Sequence, residues 1–177
     1  MLIECLLLVG KWTICYGSTM KVAIIFGSQS DKTVMKKAAD VLREMGVEFY
    51  AHVLSAHRVP EVLSVTLKQL EADGVEVIIA GAGIAAHLPG VIASQTLLPV
   101  IGVPVGSGGL AGLDALLSIV QMPKPIPVAT VGIDNAANAA YLAAAILGIK
   151  YPEVREKLEN VRAKAKEDLT KNSIVDL

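Results

Sequence analysis

Residues 20–31, MKVAIIFGSQSD, contain the strand, the turn and the helix start that the rest of the chain repeats. The unbroken apolar run at 22–26 is typical of a strand that is covered on both faces. GSQSD then interrupts the run, and apolar side chains at helical spacing follow as far as Met45. Gly46 is a residue type at which helices end. This stretch therefore predicts a strand, a turn that Gly27 permits and a helix.

The order of strand, turn and helix recurs with no linker or low-complexity tract between the units. Further strands are predicted at 48–54, 75–80, 99–105 and 127–133, and further helices from Pro60 and over 89–96, 113–120 and 135–147. This alternation predicts an α/β fold, with a parallel sheet, right-handed crossovers and helices on both faces. Residues 20–150 are expected to form one domain.

The two ends of the chain differ from this body. Residues 1–19 show no clean period, and we interpret them as an extension before a start at Met20, or alternatively as an added edge strand. No chemistry is expected there. A helix predicted at 153–171 carries a narrow apolar stripe and acid-first ion pairs four residues apart. Residues 151–177 are thus expected to form a helical arm on a surface of the same subunit or of another one.

Composition excludes several classes of protein. The 177 residues are 53% hydrophobic and only 19% charged, which favours a homo-oligomer that hides part of its surface. A net charge of −1 predicts no nucleic-acid partner. The most apolar stretch, 88–105, is interrupted by three prolines, so no membrane association is expected. Both cysteines, Cys5 and Cys15, precede the body, which excludes a disulfide framework there and favours a cytoplasmic protein.

The polar residues of interest follow predicted strands. Parallel α/β sheets bind ligands outside the carboxyl ends of their strands. In GSQSD, free N–H groups at a helix start and the hydroxyls of Ser28 and Ser30 are suited to a phosphate, and Asp31 to ribose hydroxyls. Taken alone, a simple helix cap by Ser30 or Asp31 is the favoured interpretation. The loop has neither the Walker pattern nor the G-x-G-x-x-G pattern.

Two further loops carry candidate chemistry. SAHR at 55–58 follows the second strand. Arg58 suits a phosphate or a carboxylate, and His57 is of a residue type that can move a proton. A capped histidine and a surface arginine are the structural alternative. GAGIAAHLPG at 81–90 brings glycines and His87 to the end of the third strand, although a structural crossover would use the same residues. No carboxylate pair, metal cluster or Ser-His-Asp order is evident, so no metal is expected.

Together these loops resemble a known family. GSQSD, SAHRVP, GAGIAAHLPG, VPVGSGGLAGLDALLSIVQMP (103–123) and NAANAAYLAA (135–144) are similar, in order, to the N5-carboxyaminoimidazole ribonucleotide mutases of purine biosynthesis, class I of the phosphoribosylaminoimidazole carboxylase catalytic subunits. The similarity runs from about Met20 to Gly148. Three positions depart from the family pattern: Ile84 stands where a glycine is usual, Val91 where Met is common, and Pro125 where Gly is usual.

The resemblance implies an isomerase that moves a carboxylate from nitrogen to carbon 4 of an aminoimidazole ribonucleotide, without ATP, metal or organic cofactor. It implies a flavodoxin-like three-layer α/β/α sandwich, assembled as an octamer. His57 matches the general acid/base. The remaining matched positions bind substrate, five at the nucleotide and three in a loop over the carboxylate and the imidazole: Ser28, Ser30, Asp31, Ser55 and Arg58, and Gly83, His87 and Leu88.

Two alternatives stay open. A direct carboxylase acting on aminoimidazole ribonucleotide and carbon dioxide shares the fold, but that branch has Lys in place of Arg58 and lacks the AAHLPG run, which favours the mutase. A non-catalytic nucleotide- or flavin-binding module is the other class. The strand-end turns of the body contain no Trp or Tyr for stacking on a flavin, and binding without turnover would identify such a module.

Overall fold

The computed structural model describes residues 20–174, which form a five-stranded parallel sheet with helices on both faces. The prediction for residues 1–19 lies outside the described part of the chain. The strands are β1 (Lys21–Phe26), β2 (Glu48–Val53), β3 (Val75–Gly83), β4 (Val100–Val105) and β5 (Ala129–Thr130). The helices are α1 (Lys32–Met45), α2 (Pro60–Ala72), α3 (Leu88–Ala93), α4 (Leu113–Val120), α5 (Ala136–Leu147) and α6 (Pro152–Lys171). A short 3-10 turn, Gln29–Asp31, precedes α1.

The sheet divides the interior into two apolar layers. Alternate side chains of β1 point to opposite faces, so Val22, Ile24 and Phe26 pack with α1 and α5, whereas Ala23 and Ile25 pack with the α2, α3 and α4 side. All five of these side chains are buried. The parallel sheet with helices on both faces, predicted from the alternating pattern, is confirmed, and so is the three-layer α/β/α sandwich that the family resemblance implies.

The strand order is β2-β1-β3-β4-β5. The chain passes from β1 outward to β2 and then crosses back to β3, so the carboxyl end of β1 is the topological switch point of the sheet. Phe26 pairs with Val53 on one side and with Gly81 on the other. β1 and β2 end at the same level and β3 ends two residues beyond it, so the loops that follow these strands leave the sheet side by side.

The fifth strand is much shorter than the predicted 127–133. Only Ala129 and Thr130 pair with β4, opposite Ile101 and Gly102. Pro127 in the segment and Pro104 in β4 lack an amide N–H, which leaves little of the ladder to form at this edge.

The C-terminal helix is confirmed, and its first half packs on its own chain. Val154 and Leu158 are buried against the α5 and α1 side. The Lys157 ammonium donates to the Met45 carbonyl oxygen at the end of α1, at 3.0 Å. Residues 162–174 are exposed throughout.

Candidate functional site

The four loops that follow β1 to β4 surround a cleft of about 400 Å³ at the carboxyl edge of the sheet. Every residue selected from the sequence as a site candidate lies in the wall of this cleft. They are Ser28, Ser30, Asp31, Ser55, His57, Arg58, Gly83, His87 and Leu88. The rule that ligands bind at the carboxyl ends of parallel strands therefore predicted the location of the cleft.

The loop after β1 presents hydroxyls and one buried carboxylate. The Ser28 hydroxyl oxygen accepts from the Ser30 backbone N–H at 3.4 Å and so caps the 3-10 turn. The Ser30 hydroxyl lies 3.0 Å from that of Ser28 and 3.1 Å from the Asp31 carboxylate. Gly27 does not take a left-handed conformation and has no neighbouring heavy atom within 4 Å of a Cβ position, so the turn does not require glycine.

Asp31 is the one charged side chain that is buried within residues 20–174, with 7% of its surface exposed. Burial raises the pKa of the Asp31 carboxyl above its ordinary value, and hydrogen bonds from the Ser30 hydroxyl and the Ser28 backbone oppose the shift. Its side chain makes no capping hydrogen bond to α1, although Asp31 occupies the N-cap position. A cap of α1 therefore does not explain this carboxylate, which lines the cleft and accepts hydrogen bonds from its own loop.

Arg58 ties the loop after β2 to the loop after β1. Its Nη2 donates to the Gly27 carbonyl oxygen at 2.8 Å, and its backbone N–H donates to the Ser55 hydroxyl oxygen at 3.3 Å. A guanidinium has five N–H donors, so the bond to Gly27 orients the group and leaves further donors for a ligand. This geometry suits a phosphate beside the Ser28 hydroxyl.

His57 and His87 are in direct contact across the cleft. Nε2 of His57 lies 2.7 Å from Nδ1 of His87, and the ring centroids are 4.9 Å apart at an interplanar angle of 85°. Such a bond holds one proton between two nitrogens, so one ring donates and the other accepts. Both side chains are exposed to the cleft. The pair is therefore positioned to give a proton to a bound molecule and to take one back.

The loop after β4 approaches the end of β3 closely and forms part of the cleft wall. A Cβ on Gly83 would lie 2.3 Å from the Ser107 hydroxyl oxygen, so the loop after β4 packs directly on the end of β3. Ser107 lines the cleft and is the polar residue that the sequence analysis missed. Its position directly after a strand was the available signal. Ala56, Ala82 and Ala85 make this end of the cleft apolar.

A second cleft, of about 530 Å³, lies at the opposite edge of the sheet. It is lined by Val75, Thr96, Leu98 and Ile126 among others, and it contains none of the candidate residues. The smaller cleft has the convergent titratable groups, and for that reason it is the candidate site.

Within residues 20–174, no three His, Cys, Asp or Glu side chains are grouped so as to hold a metal ion. No helix in the same part of the chain is long and apolar enough to cross a membrane.

Known proteins resemble this chain along most of its length. The family described as AIR carboxylase matches residues 21–168. The N5-carboxyaminoimidazole ribonucleotide mutase of Pyrococcus horikoshii is 65% identical over 137 residues, covering 77% of each chain. That of Thermotoga maritima is 55% identical over 149 residues, covering 84% of this chain and 87% of its own. The crystal structure of Treponema denticola PurE has a TM-score of 0.80 and 29% identity, covering 86% of this chain and 95% of its own.

Proposed function

The chain belongs to the AIR carboxylase family, and we propose that it is an N5-carboxyaminoimidazole ribonucleotide mutase, the name that its curated relatives carry. Such an enzyme is an isomerase of purine biosynthesis that produces 4-carboxy-5-aminoimidazole ribonucleotide. The observation that carries the proposal is the contact between His57 and His87 in a cleft that also presents Asp31 and Arg58. A substrate that is anchored at one end and must exchange protons at the other fits this arrangement.

The polar side of the cleft binds the ribonucleotide. Arg58 is held by the Gly27 carbonyl and donates to the phosphate, with the hydroxyls of Ser28 and Ser30 beside it. A charge-assisted hydrogen bond of this kind contributes roughly 1.5–3 kcal/mol. The Asp31 carboxylate accepts from the ribose hydroxyls, and the Ser55 hydroxyl oxygen supports Arg58 by accepting from the Arg58 backbone N–H.

His57, which is in contact with His87, performs the proton transfers. The bond between the exocyclic nitrogen and the carboxyl carbon breaks, its electron pair stays on nitrogen, and His57 donates a proton to that nitrogen. Carbon dioxide is released within the cleft. Carbon 4 of the imidazole then attacks it, a carbon–carbon bond forms, and His57 takes the proton that leaves carbon 4. The proton lost in the first step is recovered in the second, so one base serves both steps.

Carbon dioxide must remain in the cleft between the two steps. Beside His87, the wall formed by Gly83, Leu88 and the neighbouring alanines offers few side-chain hydrogen-bonding groups and suits a small apolar molecule. Gly83 allows the Ser107 loop to close this end of the cleft. No ATP, metal or organic cofactor takes part in the proposed reaction.

We also propose that the chain works as a homo-oligomer, an octamer, in the cytoplasm. Exposed apolar side chains support an oligomer: Leu113, Leu117 and Val120 follow one another at helical spacing along α4, Leu110 lies in the turn before it, and each is about half exposed or more. The body at 20–150, the C-terminal helix and an extension at 1–19 remain the proposed organisation of the chain.

The test is incubation of the purified chain with N5-carboxyaminoimidazole ribonucleotide in the absence of ATP and bicarbonate. The mutase forms the 4-carboxy isomer under these conditions, which separation of the nucleotides by chromatography detects. Formation of that product only from aminoimidazole ribonucleotide and added carbon dioxide would identify the direct carboxylase. Binding of the ribonucleotide without any turnover would identify a non-catalytic module.

A further inference from the structure

Ile84 has a backbone conformation that its side chain disfavours. Its φ is 54°, and it is one of three non-glycine residues with positive φ among residues 20–174, together with Ala111 and Asp134. Left-handed backbone is most unfavourable for a β-branched residue, because the branched Cβ crowds the neighbouring peptide. Packing within its own chain does not compensate for this, since 58% of the surface of Ile84 is exposed. Strain of this kind, retained without a packing benefit, points to a role in the site.

The position of Ile84 indicates what that role is. Ile84 follows Gly83 directly and lines the cleft at its apolar end. Its Cγ1 lies 3.7 Å from the point that a Cβ on Gly108 would occupy, so the side chain reaches towards the loop that follows β4. The isoleucine therefore adds an apolar side chain to the cleft wall, between the loop that follows β3 and the loop that follows β4.

We propose that Ile84 keeps released carbon dioxide in the cleft between the two steps of the isomerisation. This inference rests on the proposed mutase function. Carbon dioxide that escapes leaves aminoimidazole ribonucleotide behind, with the proton from His57 on its nitrogen, and no carbon–carbon bond forms. An apolar side chain at the edge of the cleft displaces water and narrows the path to solvent, so that attack by carbon 4 competes better with escape.

The test measures how the substrate divides between isomer and decarboxylated nucleotide in a single turnover with enzyme in excess. Ile84→Gly removes the side chain and also relieves the backbone. Ile84→Ala removes most of the side chain but keeps a Cβ at positive φ. Ala111→Gly is the matched control, because Ala111 has a φ of 49°, is exposed and lies outside the cleft wall. Decarboxylation in an enzyme-free sample is subtracted.

Both Ile84 variants are expected to release several-fold more aminoimidazole ribonucleotide per isomer formed than the wild type. They are also expected to incorporate several-fold more label from carbon-13 bicarbonate into the isomer. Ala111→Gly should leave both quantities unchanged. Ile84→Gly should melt no lower than the wild type, because glycine takes positive φ without strain.

Two results would overturn the role of Ile84. Equal partition and equal labelling in wild type and both variants would show that the side chain does not retain carbon dioxide. Increased release in Ile84→Gly alone would assign the effect to backbone flexibility and not to the apolar side chain. A wild-type chain that forms no isomer at all would instead contradict the proposed function, so the two failures are distinguishable.

Discussion

Replacement of Gly83 by alanine tests whether the wall of the cleft depends on direct contact between β3 and the loop after β4. The new Cβ would lie 2.3 Å from the Ser107 hydroxyl oxygen, 3.1 Å from the Val105 carbonyl oxygen and 3.5 Å from the Ser107 Cβ. The hydroxyl can rotate away, but the carbonyl belongs to β4, which pairs with β3 at this position. We therefore expect a cost in the usual range for overpacking, about 1–3 kcal/mol of the free energy of unfolding.

For a chain of this size, each kcal/mol lowers Tm by about 2–4 °C, so Gly83→Ala should melt roughly 2–12 °C below the wild type. KM for the ribonucleotide should rise, because Ser107 is displaced from the cleft wall. Thermal unfolding followed by circular dichroism and initial rates of isomerisation provide the two readouts. Gly109→Ala is the matched control, since Gly109 has no neighbouring heavy atom within 4 Å of a Cβ position.

The double variant Gly83→Ala with Ser107→Gly tests whether Ser107 is the group that the new Cβ meets. It removes the closest obstacle, so Tm should recover in part, while the contact with the Val105 carbonyl keeps it below the wild type. Gly83→Ala with unchanged Tm and KM would refute the close-packing argument. Failure of the double variant to recover any Tm would show that Ser107 is not the obstacle.

Three further predictions concern binding, pH dependence and assembly. Arg58→Ala should lower kcat/KM by about 10- to 150-fold, mainly through a higher KM, because a charge-assisted hydrogen bond contributes about 1.5–3 kcal/mol. Steady-state rates over a range of substrate concentrations measure this change. A fall in kcat with unchanged KM would contradict the binding role. Because burial raises the pKa of Asp31, the carboxyl stabilises the fold below its ordinary pKa, and that contribution is lost as the pH rises through the raised value. Asp31→Asn should therefore raise Tm at pH 7 while weakening substrate binding. In thermal scans at acid pH, the difference in Tm between this variant and the wild type should shrink. A variant with a lower Tm than the wild type at pH 7 would show that the ionised carboxylate stabilises the fold. A chain that ends at residue 162 keeps the buried Val154 and Leu158, so circular dichroism should show an intact subunit fold while sedimentation shows a smaller particle with less activity. An unchanged, fully active particle would show that the exposed half of α6 is not an interface.

The fold and the location of the cleft were predictable because each depends on local patterns. An apolar run such as 22–26, followed by a turn and an amphipathic helix, identifies a βα unit whatever its neighbours are. The rule that ligands bind at the carboxyl ends of strands then selected Ser28, Asp31, Arg58 and His87. All of them line one cleft in the structure.

Strand order and distances were not predictable, because helical and strand periods carry no information about which strands are neighbours. His57 and His87 are 30 residues apart, and their contact arises because β2 and β3 flank β1. Ser107 was missed because its loop contains no ionisable side chain near it in sequence. The short β5 reflects prolines on both pairing segments, an effect that only their alignment across the sheet reveals.

The sequence also did not predict which surface α6 packs on. Its apolar stripe predicted a helix on some neighbouring surface, but the stripe contains nothing that distinguishes the same chain from a second subunit. Val154 and Leu158 pack on their own chain, whereas Leu169 of the same stripe is 75% exposed. One stripe thus has two different environments, which depend on where α1 and α5 end.

Single-turnover isomerisation by His57→Asn tests the central claim most directly. Asparagine keeps a polar side chain of similar size, but its amide neither gives nor takes a proton at neutral pH. General acid/base catalysis increases reaction rates by about 10²- to 10⁴-fold. His52→Asn is the matched control, because His52 lies half-buried on β2, outside the cleft wall. We predict that His57→Asn lowers the rate of isomerisation at least about 100-fold. Calorimetry should show that this variant binds the 4-carboxy product with the affinity of the wild type. His52→Asn should have the rate and the affinity of the wild type. Near-normal isomerisation by His57→Asn would contradict the account.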